Sequence, residues 1–195
     1  MKTFMHNKIY YLLLFAFCLS FQSPISPQQF EGTITFKKES EADTVYYGYH
    51  VKNHIVRIDE YDNSKNMLKY YLVDLTNESV KVIHPEKKMY RSLPVQDYIE
   101  PRDETFQIIK SKNSKTINGY KCYQWRVRNT IQNTEVAYWV ANEDFRFFDE
   151  VLKILNRADK HTYFYLQIPQ KDGFFPILTV ERSLLRIERV SVQVT

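Results

Sequence analysis

A few residues in this 195-residue chain have types and spacings that could do chemistry. Cys122 could serve as a nucleophile if a base such as His84 or His161 reached it. No local signature surrounds it, and strand parity places it with Gln124 and Arg126. His50 and His54 lie four apart and on one strand would share a face, as two metal ligands would. Lys52 and Asn53 read as a turn between them, however, and no third ligand presents itself. Asp59, Asp62 and Asn63 have the composition of a calcium loop but lack the glycine and closing Glu that such a loop needs, so they read as a solvated turn. Arg126, Arg128, Arg182, Arg186 and Arg189 could form a patch for anionic head groups, although the wet face of a sheet carries such residues too. The chain has no phosphate loop, dinucleotide fingerprint, serine elbow or zinc spacing. The residues therefore predict no catalytic centre, no metal and no cofactor, and direct attention to binding.

The elements that would position these residues are mostly strands. Phe30, Gly32, Ile34 and Phe36 alternate with Glu31, Thr33 and Thr35, a period of two. Thr44 to Val51 and His54 to Glu60 follow, and then the polar turn from Asp62 to Asn66. Leu68 to Leu75 and Ser79 to His84 flank Thr76-Asn77-Glu78, and Lys87 to Leu93 is a further short strand. Pro94 and Pro101 bracket an irregular passage. Tyr120 to Asn129 has two clear faces, with Tyr123, Trp125 and Val127 on one and Gln124, Arg126 and Arg128 on the other. Glu135 to Ala141 pairs with it across Thr130 to Asn133. The period then changes. Phe145, Phe148, Leu152 and Leu155 fall at helical spacing, widened by Phe147, Val151 and Ile154, and Asn142, Glu143 and Asp144 supply a cap and a negative first turn. Asp159 to Ile168 reads as strand or loop. Phe174 to Arg182 and Leu184 to Val194 form a closing pair, with a parity slip near Arg189 that a bulge would explain.

The first thirty residues have a different character. Lys2 and Lys8 lead into an apolar run from Ile9 to Phe21, and Ser20, Ser23, Pro24, Ser26 and Pro27 follow, with no acidic residue before Glu31. This is the layout of a secretory signal peptide. It assigns residues 1–23 to a leader, with a cut between about Ser20 and Gln28, and residues 28–195 to one β-rich domain. The run is shorter than the roughly 20 residues of a membrane-spanning helix, so no stable transmembrane anchor is expected. Lipidation at Cys18 is the alternative to soluble release, but Phe17 stands where a lipoprotein signal has a small residue. The chain's net charge is +4, and losing the two leader lysines leaves +2, too little to argue for a nucleic-acid partner. Cys18 leaves as well, so Cys122 has no intramolecular partner. Stability must then come from a core.

Lys115-Thr116-Ile117-Asn118-Gly119-Tyr120-Lys121-Cys122 resembles the K-x-I-x-G-Y-x-C signature of a family of exported bacterial domains of unknown function. Phe30, Gly32 and Ile34 match its F-x-G-x-I start, Val73-Asp74-Leu75 its V-D-L strand, and Ala137-Tyr138-Trp139-Val140 its aromatic W-V strand. Gly173 with Pro176 matches a late Gly and Pro. Such domains are similar to the periplasmic lipoprotein-carrier (LolA/LolB-like) superfamily. That likeness implies a mainly β fold, a strongly curved antiparallel half-barrel wrapped over helix, and implies no catalytic residues. The residues alone agree: a curved sheet needs a covered face, and one amphipathic helix can cover it. An incomplete cover leaves a concave apolar groove, where ligands usually sit. The expected function is an exported, periplasmic or envelope-associated binding or carrier protein. It would hold a lipid, an acyl chain or a lipidated peptide against Tyr123, Trp125, Tyr138, Phe148 and Leu152, with a lipoprotein or another envelope protein as possible partner. The alternative is a non-catalytic structural or interaction module with a filled core. With 15 Tyr and 13 Phe in the chain, many aromatics are core under either reading.

Overall fold

The computed structural model describes residues 30–99, 105–156, 159–169, 173–183 and 186–194. The leader expected over residues 1–23 and its cut site lie outside them. Among the described residues, no helix is long and apolar enough to cross a membrane.

Among the described residues eleven strands form one sheet: β1 Gly32–Glu39, β2 Thr44–Lys52, β3 Ile55–Tyr61, β4 Met67–Asp74, β5 Ser79–His84, β6 Met89–Leu93, β7 Phe106–Ile117, β8 Tyr120–Asn129, β9 Thr134–Ala141, β10 Phe175–Ser183 and β11 Arg186–Val194. Their order is β6-β5-β4-β3-β2-β1-β11-β10-β9-β8-β7, and every neighbouring pair is antiparallel. Two meanders are thus joined where β1 meets β11. Consecutive strands β6 and β7 become the opposite edges of a curled sheet that does not close into a barrel. Strand twist of one hand, summed over so many strands, produces the curl. Its extent shows at the β7–β8 turn. Three strand spacings, about 14 Å in a flat sheet, separate β8 from β11, yet the Asn118 side-chain amide donates to the Val192 carbonyl at 2.7 Å. Asn118 and Gly119 both have positive φ, 51° and 84°, the requirement of a tight hairpin turn and the reason glycine stands there.

Among the described residues two helices cover one face: α1 Arg146–Leu155 and α2 Lys160–Leu166. α1 is the helix expected from its stripe, and it buries Phe147, Phe148, Val151 and Leu152. Its capping differs from expectation. Phe145 holds the N-cap position without a side-chain hydrogen bond, while Asp144 pairs with Arg146 at 2.9 Å. α2 corrects the strand-or-loop reading of residues 159–168. Its segment is aromatic and too short to display a helical period, but Asp159 caps it by accepting from the Thr162 amide, and Phe164, Tyr165 and Leu166 are buried.

Two further corrections concern strands. β7 has no counterpart in the sequence-based reading. Its middle, Lys110 to Lys115, is polar throughout and carries a register shift between Lys110 and Ser114, as suits an exposed edge guarded by lysines and a bulge. The bulge expected near Arg189 is not there. β11 pairs without interruption to β1 and to β10, and the irregularity lies instead in β10, between Pro176 and Leu178 against β9. Proline has no N–H for the ladder, so the register slips at that residue.

Candidate functional site

The space between α1 and the sheet is largely filled by rings. Phe148 stacks on Phe36 at 5.6 Å between centroids and meets Phe175 edge-on at 5.0 Å and Tyr165 at 5.9 Å. A cleft of about 110 Å³ remains, lined by Phe36, Tyr49, Phe148, Leu152, Tyr165 and Val192 among others, with Lys38, Asp159, His161 and Thr162 also lining it. Of the five residues expected to line a ligand groove, Phe148 and Leu152 do line this cleft. Tyr138 does not: it is 1% exposed, and its hydroxyl donates to the His161 carbonyl at 2.7 Å. Burial first, then nearby acidic and phenolic groups, hold that phenol well above its ordinary range. Trp125 lies apart, against Phe174 at 4.9 Å and beneath Lys110 at 4.4 Å. Tyr123 is half-buried, with the Lys121 ammonium 5.7 Å from its ring. The structure therefore divides these residues among separate surroundings instead of one groove.

The nucleophile and metal candidates also find their places. Cys122 is buried, and its thiol donates to the Tyr120 carbonyl at 3.4 Å. Burial raises its pKa above the ordinary value and outweighs the charge of its cross-strand partner Lys115, which lowers it; its other partner is Ala141. His54 lies in the β2–β3 turn, with Asn53 at φ 53°, and does not share a strand face with His50. Asp62 closes its own turn by accepting from the Asn66 amide and side chain. Among the described residues no group of three or more His, Cys, Asp or Glu side chains could hold a metal. Of the arginines, Arg126 faces Glu135 at 3.7 Å and Arg128 donates to Asn133. The side chains of Arg182 and Arg186 lie outside the described residues.

The sheet face turned away from the helices carries two larger clefts. One, of about 670 Å³, has Ala137, Trp139, Leu178 and Val180 with Arg126, Arg189, Glu39 and Glu135 around them, and Lys115 and Asn118 of the curled-over hairpin. The Lys115 ammonium sits 4.0 Å from the Trp139 ring centroid. The other, of about 440 Å³, lies over β1 and β2. Beside it is a feature that sequence reasoning missed. Asp59 points to this outer face but is only 3% exposed. Its Oδ1 accepts from Arg57 Nε at 2.6 Å, and its Oδ2 lies 3.1 Å from His50 Nε2 and accepts from the Tyr61 hydroxyl at 3.1 Å. His50 Nδ1 lies 3.0 Å from Thr33 Oγ1. Burial and the Asp59 carboxylate hold the Tyr61 phenol above its ordinary value, so it remains a donor. The alternation of Arg57, Asp59 and Tyr61 on one strand was a signal that these three share a face.

Helices laid across one face of an open, curled antiparallel sheet, with apolar space between the layers, define a mainly β, half-barrel-like fold. The model of a domain of unknown function, DUF4412, matches residues 30–193, and the chain belongs to that family. A comparison with curated proteins found no match.

Proposed function

We propose that the chain is an exported cell-envelope protein, periplasmic or envelope-associated, that holds an apolar ligand between α1 and the sheet: a lipid, an acyl chain or the acyl group of a lipoprotein. One observation carries this reading, the cleft lined by Phe36, Tyr49, Phe148, Leu152 and Val192 beneath an amphipathic helix. The sequence-based resemblance to the lipoprotein-carrier superfamily is in keeping with this reading. At about 110 Å³ the cleft is smaller than the roughly 300–1,000 Å³ of common ligand pockets, so occupancy goes with displacement of α1. That helix has no side-chain N-cap and is held by its packing. The leader-like residues 1–23 support export, and N-terminal sequencing of exported protein beginning between Ser20 and Gln28 checks it.

The close ring packing under α1 favours a second reading, a non-catalytic interaction module whose core is simply full. Native mass spectrometry of gently purified protein, together with displacement of an apolar probe dye by fatty acid, separates the two. Co-purified lipid and displaceable dye support the carrier. A folded protein that retains no lipid and binds no dye leaves the filled module.

A further inference from the structure

The outer face of a sheet normally carries solvated side chains lying over one another, yet β2 places Gly48 in mid-strand, between Thr35 on β1 and Asp59 on β3. A glycine inside a strand weakens it and often marks a close approach by a ligand. Here the missing side chain serves His50: a Cβ at position 48 would stand 3.1 Å from His50 Nε2, the atom that meets Asp59. The same absence leaves the cleft of about 440 Å³, within the range of small-molecule sites. We propose that this cleft binds a small ring compound carrying one anionic group, a carboxylate or a phosphate, of the size of a sugar acid or a sugar phosphate.

The charge and shape of the lining support this. Lys65 and His50 line the cleft, as does Lys37, whose ammonium also pairs with Glu39, and among the described residues no carboxylate lines it, because Asp59 is sealed beneath His50, Arg57 and Tyr61. Tyr46 and Tyr61 supply rings against which a flat or ring-shaped body can lie, and Lys65 sits 5.2 Å from the Tyr46 centroid. The buried carboxylate is the preorganising element: it fixes His50 and Tyr61 before any ligand arrives, which lowers the ordering cost of binding. Asn118, tied to the Val192 carbonyl, also lines the cleft. The lysines, His50 and Gly48 lie on the opposite face of the sheet from α1; Phe36 and Val192 border both clefts, but the proposal does not rest on the function proposed above.

Isothermal titration of the purified protein with glucuronate, glucose 6-phosphate and neutral glucose tests the proposal. At least one anion is expected to bind in a salt-sensitive manner while glucose does not, and the stronger anion identifies carboxylate or phosphate as the group read. Lys65→Gln, in an exposed turn, is expected to weaken that binding roughly tenfold or more. Gly48→Ala, which crowds His50, is expected to abolish it, and circular dichroism checks that this variant remains folded. Lys112→Gln, on the far edge strand, should leave binding unchanged. Binding of neither anion, glucose binding as tightly as the anions, or unchanged binding by Lys65→Gln would overturn the assignment.

Discussion

Replacing Phe148 by Ala tests whether α1 is packed like a core or rests like a lid. Phe148 is 8% exposed and its ring meets those of Phe36, Tyr49, Tyr165 and Phe175. Truncating such a ring removes its transfer free energy and leaves a cavity, about 3–5 kcal/mol together, against a total stability of roughly 5–15 kcal/mol. For a domain of this length each kcal/mol moves Tm by about 2–4 °C, so the expected fall is about 6–20 °C. The void opens directly into the existing cleft of about 110 Å³, where the surroundings can collapse only if α1 shifts. Urea unfolding followed by circular dichroism, with a thermal scan in parallel, gives the number. A loss below about 1 kcal/mol would refute the claim that close packing of this ring holds α1 in place. A small loss accompanied by greater dye uptake would instead describe a helix that already moves away from the sheet.

Changing Cys122 to Ser or Ala should leave the protein folded and monodisperse, and the native thiol should react with Ellman's reagent only after unfolding, because it is buried and its pKa is raised; rapid labelling of the folded protein would contradict this. Asp59→Asn should cost about 2–3 kcal/mol in urea unfolding, since it removes a buried carboxylate from three donors; a change under about 0.5 kcal/mol would show that the cluster is not held as described. Asp62 and Asp74 have pKa values below the ordinary 3.8, chiefly through bonds from Asn66 and Asn77. Their contribution is therefore present above about pH 4 and is lost as pH falls through their lowered folded values, so Asp62→Asn should flatten the acid limb of the stability curve, and an unchanged limb would count against these turn bonds.

Elements that carry their own periodicity were readable in the chain. β8 and α1 each present one apolar face against a polar one, and burial follows that pattern: Trp125 and Val127 on β8, Phe148 and Leu152 on α1. β7 and α2 lack such a pattern. β7 is an edge strand whose polar middle has no buried face to declare, and α2 is too short for its period to show; its helicity rests on the Asp159 cap and on burial of Phe164 and Tyr165. The candidate site residues were separated by the tertiary structure, Phe148 and Leu152 lining the cleft under α1 and the other three lying elsewhere. Aromatic type marked Tyr123, Trp125 and Tyr138 as groove candidates, but type does not state whether a ring borders a cleft, packs on Phe174 or sits under a helix.

The cluster at Asp59 shows where the boundary lies. The sequence by itself determined that Arg57, Asp59 and Tyr61 share a face, that β2 carries His50 and Gly48, that the domain is mainly β with an amphipathic helix, and that residues 1–23 have the composition of a leader. Which residues meet across β2 and β3 depended on the turn. Reading Lys52 and Asn53 as the turn would set Asp59 opposite Tyr46; with Asn53 and His54 there, Asp59 is opposite Gly48. A turn moved by one residue moves every cross-strand partner by two, which leaves each side chain on the same face, so apolar alternation is the same in both registers and only the assembled sheet chose between them. The curl was likewise a tertiary outcome. No local segment encodes the approach of Asn118 to Val192, 74 residues away, because it arises from twist summed over the strands between them.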